Sequence, residues 1–197
     1  MAENKEVPEK HFVTPNSLYN DSIALALKIR DSGFRPSFIV GLWRGGTPPG
    51  IIVHEILSFC NIEADHIPIR TARYDNSKTN EITSETVVDG LDYIVEKANK
   101  NDSLLFVDDV FDTGLTMRDV IEELKKRSRL NTPEDIRIAT VYYKPKKNRT
   151  EIKPNFYIHE TDKWIVFPHE FRGLTLEEIS KGKGEYVGKL LRKNGVK

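Results

Sequence analysis

The sequence predicts an α/β fold: a mostly parallel sheet flanked by helices, with a small hood beside it. Three observations carry this. Short apolar runs, such as "SFIVGL" (37–42) and "SLLFVD" (103–108), alternate along the chain with segments of helical periodicity. Two of these runs end directly in loops rich in glycine or acid, "WRGG" and "DDVFDTG". In sheets of this kind ligands sit at the carboxyl ends of the strands, so both loops are expected to face one cleft. The 197 residues suit a single domain with a buried core. Its expected parts are an N-terminal helix over 15–33, a core over 37–143, the hood over 144–172 and a helical tail over 173–197.

The elements follow in order. Helix is expected after Pro15, with Leu18, Leu25, Ala26 and Ile29 on one face and Gly33 as the stop. Strand 37–42 leads into "WRGGTPPG", where Pro48 and Pro49 suit the first turn of a helix over 48–60. "ADHIPIR" (64–70) reads as a strand. Residues 71–85 are polar and aperiodic, a length that suits a functional lid. "LDYIVEKANKN" reads as helix, "SLLFVD" as strand, and "GLTMRDVIEELKKRS" as helix with Met117, Val120, Ile121 and Leu124 at core spacing. "DIRIATVYYK", "FYIHE" and "WIVFP" read as strands, and the tail from Thr175 as helix. "KPKKNRTEIK" reads as a solvated turn.

Composition narrows the function. Lys plus Arg and Asp plus Glu both number 30, which gives no support for nucleic-acid or anionic-membrane binding. No apolar run is long enough to span a bilayer, and "MAENKEVPEK" lacks a signal-peptide core. The single cysteine, Cys60, reads as a packing thiol, and a reducing cytoplasmic setting is the default.

The stretch "LLFVDDVFDTGLTM" (104–117) poses the chemical question. Gly114 permits a tight loop, Thr113 and Thr116 offer hydroxyls, and the following helix presents free N–H groups to a phosphate. Yet three carboxylates, Asp108, Asp109 and Asp112, sit in the same loop. It lacks the lysine of a triphosphate-binding loop and the G-x-G-x-x-G of a dinucleotide site. Carboxylates accept hydrogen bonds from a ribose diol and help to hold a divalent cation. A ribose 5-phosphate places diol and phosphate a few ångströms apart, which reconciles the acids with the cradle.

This stretch resembles the phosphoribosyl-diphosphate (PRPP) signature of type I phosphoribosyltransferases. "VGLWRGGTPPG" is similar to the pyrophosphate loop of their 6-oxopurine branch. "ATVYYKP" followed by "WIVFPHE" resembles its base-recognition region. The resemblance spans about residues 37–172 and implies transfer of the phosphoribosyl group from PRPP to hypoxanthine, guanine or xanthine, with Mg2+ bound, in a purine-salvage enzyme that is a homodimer or homotetramer. It implies Asp108 and Asp109 on the ribose hydroxyls and metal, and Asp112 as general acid/base at the purine N7. Asp112, Thr113, Gly114, Leu115 and Thr116 would hold the 5-phosphate, and Arg44, Gly45 and Gly46 the pyrophosphate. Lys144 would meet the purine O6, Trp164 would stack on the ring, Ile165 would offer its backbone carbonyl, and Glu170 would bind a second metal. In relatives the peptide corresponding to Trp43–Arg44 can be cis. The sequence departs from the family at the lid, where Arg73–Tyr74 stands in place of Ser-Tyr, and at Glu170, where Asp is usual. His54 and His66 read as structural, and His169 carries no assigned role. The alternatives are transfer to another base, or a PRPP- or nucleotide-binding regulator of the same fold.

Overall fold

The computed structural model describes residues 10–73 and 86–196, which include most of the predicted elements. The chain divides into two compact units, one of Met1–Leu18 with Lys163–Lys197 and one of Tyr19–Asp162. The expected hood is therefore shared out: 144–162 fall in the larger unit and 163–172 in the smaller.

The larger unit is built on a six-stranded sheet. Its strands are β2 (Phe38–Trp43), β3 (Asp65–Arg73), β4 (Thr86–Asp89), β5 (Ser103–Phe111), β6 (Asp135–Tyr143) and β7 (Phe156–Glu160), in the order β4-β3-β2-β5-β6-β7. Every pairing is parallel except β3 with β4. The helices are α1 (Pro15–Asp31), which begins in the smaller unit, then α2 (Thr47–Phe59), α3 (Asp92–Lys97) and α4 (Leu115–Ser128). The central strands read as unbroken apolar runs because both faces are covered: Leu104, Leu105, Phe106 and Val107 are fully buried. Met117, Val120 and Leu124 bury one face of α4 against Val40, Leu42 and Phe106 in a single apolar cluster. Lys125, Lys126 and Arg127 in its last turn complement the helix dipole.

The smaller unit joins the two ends of the chain. Strand β1 (Lys10–Phe12) pairs in parallel with β8 (Trp164–Val166), in register Lys10 with Trp164. Helices α5 (Leu176–Gly182) and α6 (Glu185–Lys193) complete it, so the predicted single tail helix is broken at Lys183–Gly184, where Gly184 takes φ +107°. A capping box at Thr175 and Glu178 starts α5, and Glu178 also receives Lys10 Nζ at 2.6 Å.

Three expectations change. Asp108 and Asp109 lie inside β5, not in a loop, because Val110 and Phe111 continue the pairing with Tyr142 and Tyr143. Strands β1 and β4 go beyond the prediction. "KPKKNRT" exposes its charges apart from Lys144, which is buried, and its backbone bonds into the carboxyl end of β5, as described below. Residues 74–85, most of the expected lid and Tyr74 with it, lie outside the described residues, whereas 71–73 extend β3. Cys60 is half-buried just after α2, with Arg30 Nη1 3.8 Å from its sulfur.

Candidate active site

Parallel strands β2 and β5 bring the two loops together. Their register runs from Phe38 with Leu104 to Gly41 with Val107, so the residues just beyond, "WRGG" and "DD", are neighbours by construction. The fit is close. A Cβ on Gly46 would collide with the carbonyl oxygen of Val107 and stand 2.8 Å from Asp108 Cα. A Cβ on Gly45 would overlap the carboxylate of Asp109. Gly46 N–H donates to Leu42 O at 2.8 Å and Thr47 N–H to Arg44 O at 3.2 Å. The second glycine thus answers a packing demand first, and does not point its N–H at a ligand. The Trp43–Arg44 peptide is cis, and Arg44 is exposed.

The acids sit at the carboxyl end of β5. Asp109 is buried, and Asp108 accepts from the Asp109 N–H at 3.0 Å. Burial, with the neighbouring Asp109 carboxylate second, pushes the Asp108 carboxyl well above its ordinary value. The two carboxyl groups stand together at the carboxyl end of β5, Asp109 buried and Asp108 partly so.

Asp112 and Lys144 come together for the same kind of reason. Strand β5 pairs with β6 up to Phe111 with Tyr143, and the Lys144 N–H extends the ladder to Phe111 O at 2.9 Å. The next residues, Asp112 and Lys144, are therefore side by side, and Lys144 Nζ donates to Asp112 Oδ2 at 2.9 Å. Lys144 is only 5 % exposed. Asp112, Thr113, Gly114 and Thr116 then line a cavity of about 230 Å³, together with Asp108 and Phe111. Gly114 adopts φ +76° at the start of α4, a left-handed conformation that favours glycine, and the first turn of α4 carries no acid to compete with an anion.

In the smaller unit, Trp164 begins β8 and is 53 % exposed, while Ile165 is buried by its side chain. Glu170 Oε2 accepts from Phe167 N–H at 3.0 Å, and Glu170 N–H returns a bond to Phe167 O at 3.0 Å, so this acid also closes its own turn. Lys183 donates to Phe167 O at 2.6 Å and to Pro168 O at 3.3 Å. Burial lowers its pKa, opposed in part by Glu170. His169 stacks on Phe167 with ring centroids 5.6 Å apart. Lys183 is a residue that sequence reasoning misses, since a lysine between two short helices carries no motif. His54 and His66 pack ring to ring at 4.2 Å in the larger unit, where they line a second cavity with Gly41 and Thr47.

Residues 15–174 match the model of the phosphoribosyl transferase domain family. The chain is 27% identical over 157 residues to a hypoxanthine-guanine phosphoribosyltransferase of Lactococcus lactis subsp. lactis, covering 77% of this chain and 74% of that protein. Among solved structures it resembles a purine phosphoribosyltransferase from Pyrococcus horikoshii Ot3 at 30% identity and a TM-score of 0.64, over 84% of this chain and 97% of that one. A hypothetical protein from Neisseria gonorrhoeae with bound ppGpp shares the fold, with a TM-score of 0.72 and 24% identity over 90% of this chain and 97% of the other. The matched span takes in both glycine- and acid-bearing strand ends, and the chain belongs to the phosphoribosyl transferase domain family, on the side of its purine phosphoribosyltransferases.

Proposed function

We propose that this chain transfers the 5-phosphoribosyl group of PRPP to a 6-oxopurine and releases pyrophosphate, as a purine-salvage enzyme. The observation that carries the reading is the Lys144–Asp112 pair, a donor and an acceptor 2.9 Å apart beside the phosphate loop. A 6-oxopurine protonated at N7 presents the complementary edge, an acceptor at O6 next to a donor at N7. Lys144 donates to O6 and Asp112 accepts from N7–H. As N9 bonds to the ribose C1, the C1–O bond to pyrophosphate breaks and the N7 proton passes to Asp112. Adenine offers a 6-amino donor to a lysine that only donates, and is rejected.

Asp112 to Thr116 hold the 5-phosphate, Arg44 and Gly45 receive the pyrophosphate with Gly46 shaping the turn, and Asp108 and Asp109 accept from the ribose diol. The raised carboxyl of Asp108 fits a divalent cation, Mg2+, at this acid pair. Among the described residues no cluster of three or more metal-ligating side chains forms a closed cage, which suits an ion held between two carboxylates and substrate oxygens. When bound, Mg2+ supplies charge against the leaving pyrophosphate. In the smaller unit, Trp164 stacks on the base, the Ile165 carbonyl meets its C2 side, and Glu170 is assigned to a second ion.

The test is a panel of hypoxanthine, guanine, xanthine, adenine, orotate and uracil with PRPP and MgCl2, following nucleotide and pyrophosphate. Turnover of 6-oxopurines is expected, with adenine disfavoured by roughly 10⁴–10⁵-fold. Lys144→Ala should narrow that gap, and Trp164→Ala should weaken every purine alike. A wild type that prefers adenine or a pyrimidine would sink the 6-oxopurine assignment.

A further inference from the structure

The segment after β6 does more than present Lys144. Its backbone grips the phosphate loop on both sides of Asp112: Lys144 N–H donates to Phe111 O at 2.9 Å, and Arg149 N–H donates to Thr113 O at 2.9 Å. Between these anchors, Pro145–Lys147 form one short 3-10 turn, with Lys147 and Asn148 N–H both returning to Lys144 O. Asn148 then locks the far end. Its Oδ1 accepts from Thr150 N–H and from Thr150 Oγ1, each at 3.0 Å, and its Nδ2 donates to Ile152 O at 2.8 Å. This lock bears on Gly114. A Cβ on Gly114 would stand 2.5 Å from Thr150 Oγ1 and 2.7 Å from Asn148 Oδ1. The left-handed residue that opens α4 is thus held from outside by the side chains of a different loop.

We propose that Lys144–Thr150 is a strap that sets the shape of the 5-phosphate loop, with Asn148 and Thr150 as positioning residues for PRPP. The inference rests on the function proposed above and adds a determinant of donor affinity to it. The physical reason is the geometry of the cradle. The loop receives a phosphate through N–H groups whose directions depend on the Gly114 turn and on the peptides around Asp112. The strap fixes those peptides by hydrogen bonds and fills the space beside Gly114. It also joins base recognition to phosphate recognition, since Lys144 is its first residue.

Isothermal calorimetry with PRPP, ribose 5-phosphate and inorganic pyrophosphate, each with MgCl2, tests this on the wild type, Thr150→Val, Thr150→Ser and Asn148→Ala. Thr150→Val removes the hydroxyl's bond to Asn148 at nearly constant volume and leaves the N–H bond in place, and Thr150→Ser keeps both. Losing the hydroxyl bond should weaken PRPP and ribose 5-phosphate by about fivefold to tenfold in Thr150→Val, and Asn148→Ala, which removes all three bonds of the Asn148 side chain, should weaken them by at least as much. Pyrophosphate, taken by the loop after β2, should keep its affinity, and Thr150→Ser should behave as wild type. A general loss of folding would lower all three affinities together. Unchanged PRPP affinity in both Thr150→Val and Asn148→Ala overturns the strap, as does an equal fall for pyrophosphate. A wild type that binds PRPP but turns over no purine leaves the strap standing and removes the transfer reading, whereas a wild type that binds no PRPP removes both.

Discussion

Asp108 and Asp112, four residues apart on β5 and the turn after it, are assigned different work, and substitution separates them. Asp112 is proposed to take the proton at N7, so Asp112→Asn should lower turnover by about 10²–10⁴-fold while PRPP affinity changes little. Steady-state and binding measurements together decide this, and turnover within a few-fold of wild type would refute the role. Asp108→Asn should instead weaken PRPP binding. It should also change stability in the free protein, with a sign fixed by linkage. The folded carboxyl sits above its ordinary value, so the folded state holds its proton more tightly than the unfolded chain does. Stability is then full below the ordinary carboxylate range and falls as pH rises from there through the elevated value. The asparagine variant lacks that loss. Melting curves without ligand between about pH 4 and pH 8 should coincide at the acid end and place the variant higher at the alkaline end. Gly46 gives a third test. Its Cβ would press on backbone at Val107 and Asp108, not on a rotatable side chain. Gly46→Ala should therefore cost about 1–3 kcal/mol in unfolding free energy and depress PRPP affinity.

Segments show how far pattern alone reaches. Strand β5 is legible from "LLFV" because four consecutive buried residues leave few other options. Its last three residues are not, since "DVF" looks like a loop until Val110 and Phe111 are seen to pair with Tyr142 and Tyr143. The alternation of Asp109 and Phe111 as buried positions was the available signal. Strand β4, "TVVD", follows a long polar run, and β1, "KHF", is three residues long. Neither carries a local pattern, because each is fixed by its partner strand. The strap was hidden differently: "KPKKNRT" has the composition of a solvated turn, and what matters in it is backbone hydrogen bonding and two small polar side chains. The positions of Asp112, Arg44 and Lys144, by contrast, are readable, because each follows directly on a strand end, and Gly114 stands just before α4. The break between α5 and α6 yields its own prediction. Lys183 ties the turn after β8 through two carbonyls and lies over the Phe171 ring at 4.8 Å. Lys183→Met should cost about 1–2 kcal/mol and speed amide exchange over Phe167–Phe171. Unchanged protection there would show that the turn holds itself.

The two compact units share out the residues proposed to hold the substrates. The larger carries both loops proposed for PRPP together with Lys144 and Asp112, and the smaller carries Trp164 and Ile165. Among the described residues, strand β8 pairs with β1 in a two-stranded sheet. A chain beginning at Val13 should therefore bind PRPP in calorimetry yet show a raised KM for the base. A matching loss of PRPP affinity would mean that the larger unit depends on β1. The pairing of β1 with β8 also has a temporal side. Lys10 and Glu178 meet across 168 positions of sequence. A ribosome delivers the first of them long before the second, and contacts so distant in sequence are slow to close. All six strands of the large sheet are complete by Glu160, so that unit has its whole core while the remainder is still being made. At roughly 5–20 residues per second, the nascent polypeptide spends seconds with its first strand unpaired. During that interval it carries the loops proposed for PRPP and the Lys144–Asp112 pair but lacks Trp164 and Ile165, and transferase activity should appear on the translation clock only after PRPP binding does.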